Sequence, residues 1–189
     1  NAILAVSLAL ARAGARSEGI PLYRYVRNLY GDSSTVFRMP QPTMNIINGG
    51  RHATNGLSIQ EFMIIPRHKL VRERIRMGVE IFHALKQILA KRKLSTGVGD
   101  EGGFSPVLSG NEDALKLILL ATTTAGYVPG KQVALGLDLA ASEFFDAGKY
   151  YFVDAKIGWK ADKLTDTLAR WVKKYPLVSL EDPFAEDDW

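Results

Sequence analysis

Two acids stand directly after short apolar runs. Asp138 closes Val133-Ala134-Leu135-Gly136-Leu137, and Glu181, followed by Asp182-Pro183, closes Leu177-Val178-Ser179-Leu180. A carboxylate at such a place is costly to bury unpaired, so it needs a cation or hydrogen-bond donors. Two from different strands could share one hard ion, with Mg²⁺ the natural candidate because it takes oxygen ligands and keeps waters for a substrate. Either acid could equally cap the helix that follows it, or pair with a lysine. Val98-Gly99-Asp100-Glu101-Gly102-Gly103-Phe104 sets two adjacent acids among glycines, out of regular structure. A tight turn accounts for the glycines, and a carboxylic acid held where it can donate a proton accounts for the acids. The fourth segment, Asn45-Ile46-Ile47-Asn48-Gly49-Gly50-Arg51-His52, runs from a strand pattern into a glycine turn that presents a histidine, and Gln60-Glu61 opens the next apolar run. A loop histidine is either a surface residue or a catalytic one.

The elements that must hold these residues can be read from periodicity. Met44 to Ile47, Phe62 to Ile65, Val133 to Leu139 and Leu177 to Leu180 are brief apolar runs bounded by Asn, Gly or Pro, as strands are. Between them, Leu70 to Arg92 carries Val71, Ile75, Val79, Phe82, Leu85 and Leu89 at helical steps, with arginines outside the stripe. Asn111 is expected to cap a helix closed by Gly126, and Asp162 another with Leu164, Leu168, Trp171 and Val172 inward. Ahead of these, Ala2 to Arg16 and Leu22 to Tyr30 read as helices, and Ser33 to Pro42 as the domain boundary. Strands alternating with helices favour a mainly parallel α/β sheet or barrel, in which functional side chains sit at the C-terminal ends of strands.

Composition narrows the chemistry. With 189 residues, 47% hydrophobic and 23% charged, the chain can bury a sizeable core and is neither a disordered tail nor a fibre. It contains no cysteine, which excludes disulfides, thiolate metal sites and a thiol nucleophile. Its histidines, His52, His68 and His83, form no His-Glu-x-x-His array, so a histidine zinc site is improbable. No Walker loop, dinucleotide fingerprint or Gly-x-Ser-x-Gly elbow occurs. The net charge of +4 hides a basic half up to Lys93 and an acidic half after it. The acidic half suits carboxylates gathered around a cation. The basic half, above all Arg67 to Arg76, could be a nucleic-acid surface, but its arginines lie opposite the apolar stripe without interleaved aromatics, which favours a solvated helix face. The apolar run Ile3 to Leu10 has no basic region before it and stops at Arg12, short of the roughly 20 residues of a membrane span.

Taken in order, these segments closely resemble the enolase family along the whole chain. The resemblance is carried by Asn45 to His52, Gln60-Glu61-Phe62-Met63, Val98 to Phe104, Gly136-Leu137-Asp138 with Ala141-Ser142-Glu143-Phe144-Phe145, and Ser179-Leu180-Glu181-Asp182-Pro183-Phe184. The run Asn1 to Ala9 is similar to the last part of that family's N-terminal domain. The implied fold is α/β: residues 1–35 form the helical end of an α+β N-terminal domain, and residues 36–189 the first half of an enolase-type β/α barrel.

The implied activity is that of a glycolytic carbon–oxygen lyase, the Mg²⁺-dependent dehydration of 2-phosphoglycerate to phosphoenolpyruvate. Asp138 and Glu181 would be two of three carboxylate ligands of Mg²⁺, which offsets charge developing on the substrate. Glu101 would be the general acid assisting departure of the 3-hydroxyl, with Glu61 beside it, and His52, Gln60, Glu61 and Glu181 would line the substrate pocket. His52 lies on a loop that in the family closes over the site and excludes water. The family's third metal carboxylate and lysine base would fall beyond Trp189, so a chain clipped at both ends is expected, one inactive alone and weak for Mg²⁺. Arg51 stands where the family more often has Ser or Lys, and Thr54 where it has a small or acidic residue. A cytoplasmic location and a homodimer at full length follow from the resemblance, without membrane or nucleic-acid partners. A non-catalytic barrel relative is the alternative, and a half-barrel would leave strand edges and apolar helix faces uncovered.

Overall fold

The computed structural model describes residues 1–31, 34, 36–99, 101–152 and 157–189; Ser33 of the expected linker and Asp100 of the glycine turn lie outside them. The chain divides into two units, Asn1–Met39 and Pro40–Trp189. In the first, α1 (Ala2–Ser17) is Ala- and Leu-rich and stops where Gly19 takes φ 63. There the Gly19 N–H reaches the Arg16 carbonyl and the Ile20 N–H the Ala15 carbonyl, satisfying groups the helix end leaves open. The second helix, α2 (Leu22–Leu29), starts after Pro21, and its Tyr25 ring packs where any side chain at Gly14 would collide with it. Arg27 stacks 3.8 Å from the Phe37 ring centroid. Ile3, Leu4, Val6, Leu8 and Leu10 of α1 are exposed.

The second unit is built on four strands, β1 (Met44–Asn48), β2 (Glu61–Pro66), β3 (Val133–Asp138) and, last in the chain, a strand over Leu177–Glu181. A short hairpin, β4 (Phe145–Asp146) with β5 (Lys149–Tyr150), forms a separate sheet, so the last strand is β6. The sheet order is β1-β2-β3-β6, and among the described residues it does not close. Only β3 and β6 run parallel; β1–β2 and β2–β3 are antiparallel. The mainly parallel sheet expected from alternation therefore fails at its first three strands. For β1 and β2 the cause is the connection, a loop and a single 3₁₀ turn (Gly50–His52), too little for the crossover that parallel neighbours need; β3, running in the direction of β1, is then antiparallel to the reversed β2. The result is a partial α/β barrel.

Three helices cover the sheet: α3 (Val71–Lys91), α4 (Asn111–Thr124) and α5 (Ala161–Lys174). The core joins Ile47, Phe62, Ile64 and Leu135 of the strands to Ile81, Leu85 and Leu89 of α3 and to Leu115 and Ile118 of α4. The buried row of α3 is Met77, Ile81, Leu85 and Leu89, whereas Ile75 and Val79 of the expected stripe are exposed. Apolar residues fill two adjacent rows of this helix, and the packing of α3 on α4 and β2 selects one of them. On α5, Leu164, Leu168 and Trp171 turn inward as expected, but Val172 is exposed.

Neither expected cap forms. Asn111, fully buried, accepts from the Ser58 and Ile59 N–H groups and so anchors a loop instead of its own helix. Asp162 lies in the first turn of α5 behind an N-cap Lys160. The tie between α4 and α5 is Glu112, which accepts from Lys174 Nζ at 2.7 Å and from the Tyr175 hydroxyl at 2.6 Å. The Lys174 bond, then the Tyr175 bond, hold its carboxyl below the ordinary 4.5, against a smaller effect of burial. A depressed folded value means that the stabilisation is complete above 4.5 and lost as pH falls through the folded value. Glu112→Gln is thus expected to lower stability by about 1 kcal/mol at neutral pH. The difference should shrink well below 4.5, as urea denaturation at both acidities would show.

Candidate active site

The register of the sheet brings the candidate residues together. Asn48 at the end of β1 is opposite Glu61, Glu61 is opposite Asp138, and Asp138 is beside Glu181. Carboxylates on three consecutive strands thus stand in one row, with strands about 4.8 Å apart. For β1, β3 and β6 this level is the C-terminal end, as expected for a barrel; β2 runs the other way and supplies Glu61 from its start. An in-register row of like charges is unfavourable by itself.

The electrostatics carry that signature. Burial is the main cause raising the Glu61 carboxyl above its ordinary value, and the charges of Asp138, Glu101 and Glu181 raise it further while His52 opposes them. Burial likewise raises Asp138, with Asp182 adding to it; the Ala140 N–H, His52 and the Gln60 side chain act against it. All six candidates, His52, Gln60, Glu61, Glu101, Asp138 and Glu181, therefore act on one neighbourhood. Glu101 and Glu181 are exposed at its rim. His52 Nδ1 is buried, has no hydrogen-bond partner and lies 3.6 Å from Glu61 Oε1. Among the described residues, neither Lys nor Arg forms an ion pair with Glu61, Asp138 or Glu181.

That donor set bears on a divalent cation. Carboxylate oxygens from two neighbouring strands, unneutralised by lysine or arginine, suit a hard ion, and Mg²⁺ is commonly held by one or two carboxylates with water and substrate completing the shell. Among the described residues no group of three His, Asp or Glu is arranged to hold a metal. The fit is therefore that of Asp138 and Glu181 as a pair, not of a complete protein cage.

The loops carrying Glu101 and His52 are set by residues that motif reading passed over. Asn48 is fully buried: its Nδ2 donates to the Gly103 carbonyl at 2.8 Å, its N–H to the Phe104 carbonyl at 2.8 Å, and its Oδ1 accepts from Asn45. Its own carbonyl accepts from Asn55 Nδ2 at 2.8 Å, and Asn55 also reaches the Pro106 carbonyl. Asn48 thus links the carboxylate row to the glycine turn that presents Glu101. The available signal was an asparagine at the end of an apolar run, where a buried amide must find partners. Arg51 also gains a contact, 3.1 Å from Glu143 in the turn after Asp138, while nothing in the structure explains Thr54. On α3, Arg76 is paired with Glu73 and Glu80 and Arg74 bonds to the His68 and Pro40 carbonyls, so the basic run is partly engaged within the chain.

Known proteins with this arrangement can be named. A family model described as the C-terminal TIM barrel domain of enolase matches residues 36–189. The chain belongs to the enolase family. Over its whole length it is 53% identical to an enolase of Bdellovibrio bacteriovorus, and it spans 43% of that protein. The open four-stranded sheet is accordingly part of an enolase barrel. Among the described residues no helix is long and apolar enough to cross a membrane.

Proposed function

We propose that this chain is part of a glycolytic enolase that dehydrates 2-phosphoglycerate to phosphoenolpyruvate, a carbon–oxygen lyase acting in the cytoplasm as a homodimer at full length. The observation that carries this reading is the row Glu61–Asp138–Glu181, with His52 3.6 Å from Glu61 and the charge of Glu101 acting on it. Residues 1–35 are the end of an N-terminal domain and residues 36–189 the first half of the catalytic barrel.

Asp138 and Glu181 would hold Mg²⁺, supplying positive charge beside the substrate carboxylate, where negative charge grows as the carbon-2 proton leaves. Each remaining residue then has a task at a stated atom. Glu101 gives its carboxyl proton to the departing 3-hydroxyl, which leaves as water. Glu61, whose burial favours the protonated form, adds a hydrogen bond beside it. Gln60 and His52 line the pocket, and the His52 ring, already against Glu61, excludes water when the loop is packed down. Removal of the carbon-2 proton needs a base. None of the residues named here takes that role, and the 189 residues are expected not to turn over alone.

The test is the appearance of the enol product, followed by its ultraviolet absorbance. Full-length protein carrying this segment should convert 2-phosphoglycerate only with a divalent cation present, and the 189-residue chain should form no product. No turnover by the full-length protein would overturn the assignment, and turnover by the short chain would overturn its inactivity.

A further inference from the structure

We propose that Tyr150 is a positioning residue for the cation site, tying the segment after Asp138 to the segment after Glu181 and so setting the spacing of the two carboxylates; this rests on the metal reading above. Tyr150, on β5, is fully buried, with its ring against Phe144, Phe145 and Phe184. Ring packing alone would be served by phenylalanine. The hydroxyl, however, has two partners, and both lie past Glu181: it accepts from the Ala185 N–H at 3.0 Å and donates to the Asp188 carboxylate. A buried phenol that finds both partners in one distant segment orders that segment.

Three more bonds cross the same seam. The Leu139 N–H reaches the Glu181 carbonyl and the Ala141 N–H the Asp182 carbonyl, each at 3.0 Å, and Ser142 Oγ accepts from the Glu186 N–H at 3.0 Å. The backbone says why such ties are needed. Ala140 and Asp182, just past the two carboxylates, take φ 48 and 41, left-handed values that non-glycine residues adopt at a cost. Strained turns persist only where their surroundings over-determine them. The Ala140 turn in addition places its N–H 3.1 Å from Asp138 Oδ1, so its geometry aims that carboxylate. Releasing the seam would let both turns relax and the carboxylates drift apart. Losing a hydrogen-bond partner of a metal ligand typically weakens metal affinity about 10–100-fold, and Tyr150, which reaches the ligands only through the seam, is assigned the lower end of that range.

The test titrates the full-length protein carrying this segment with Mn²⁺, following the free ion by electron paramagnetic resonance, with circular dichroism confirming the fold. The parent should bind Mn²⁺ and Asp138→Asn should lose it; failure of either overturns the metal reading and this inference with it. Given both, Tyr150→Phe should bind Mn²⁺ at least about tenfold more weakly. Tyr127→Phe, which removes a hydroxyl bonded to Glu80 on α3, is the control and should bind as the parent does. Parent-like affinity in Tyr150→Phe, or equal weakening in Tyr127→Phe, overturns the positioning role while leaving the metal reading intact. Should Tyr150→Phe not fold, Ser142→Ala, which removes only the bond to Glu186, decides: weakened Mn²⁺ binding supports the seam and parent-like binding overturns it.

Discussion

Glu101→Gln in the full-length enolase is expected to lower turnover of 2-phosphoglycerate by about two to four orders of magnitude, the usual worth of general acid catalysis. Glutamine keeps the size of the side chain and its ability to accept a hydrogen bond, but it has no carboxyl proton to give the 3-hydroxyl. Glu101 hangs from a turn closed by the Gly102 N–H on the Gly99 carbonyl and the Gly99 N–H on the Gly103 carbonyl, and it makes no structural hydrogen bond of its own among those described. The fold should therefore survive, and so should Mn²⁺ binding, because the change leaves Asp138 and Glu181 in place. Steady-state kinetics with a parallel Mn²⁺ titration separate these quantities. A variant whose turnover stays within about tenfold of the parent would remove Glu101 from the acid role.

The second large effect is structural. A Cβ at Gly99 would collide with Asn48 Nδ2 and stand 2.8 Å from the His52 carbonyl oxygen. The collision is with no loose side-chain end. Asn48 is buried and fixed by its bonds to Gly103 and Asn45, and the His52 carbonyl is backbone. Gly99→Ala must then push Asn48 out of its bond to Gly103 or lift the histidine loop. Overpacking costs about 1–3 kcal/mol, and a buried amide left unpaired costs about 1–3 kcal/mol more. We expect Gly99→Ala to destabilise the chain by roughly 2–4 kcal/mol in urea. Amide exchange at Asn48 and Phe104, whose N–H groups cross between β1 and the glycine turn, should quicken more than at Leu137 inside the sheet. Equal exchange at all three would show that the loop is not what Gly99 protects.

Much of this site was legible in the chain because its signals are local. An acid closing an apolar run, as Asp138 and Glu181 do, already stands out as a charge that needs a partner. The glycines around Glu101 mark a turn for the same kind of reason. Five segments in enolase order named His52, Gln60, Glu61, Glu101, Asp138 and Glu181 as a set, and the sheet puts Glu61, Asp138 and Glu181 at one level. Strands and helices were likewise legible, since burial period is a property of consecutive residues.

What remained hidden depends on partners far along the chain. Nothing near Asn111 tells that its side chain will be taken by Ser58 and Ile59 instead of its own helix, and nothing near Tyr150 points to Ala185 or Asp188. The choice between two apolar rows on α3 waited on which face met α4 and β2. The direction of β2 waited on the path of the loop from Gly49 to Gln60. Sequence by itself determined which residues are charged, which runs are apolar and where the backbone can turn. Tertiary structure alone decided that Glu61, Asp138 and Glu181 share one level of the sheet, because strand register comes from pairing between distant segments, Glu61 with Asp138 and Asp138 with Glu181, and no short window contains both sides of a pair.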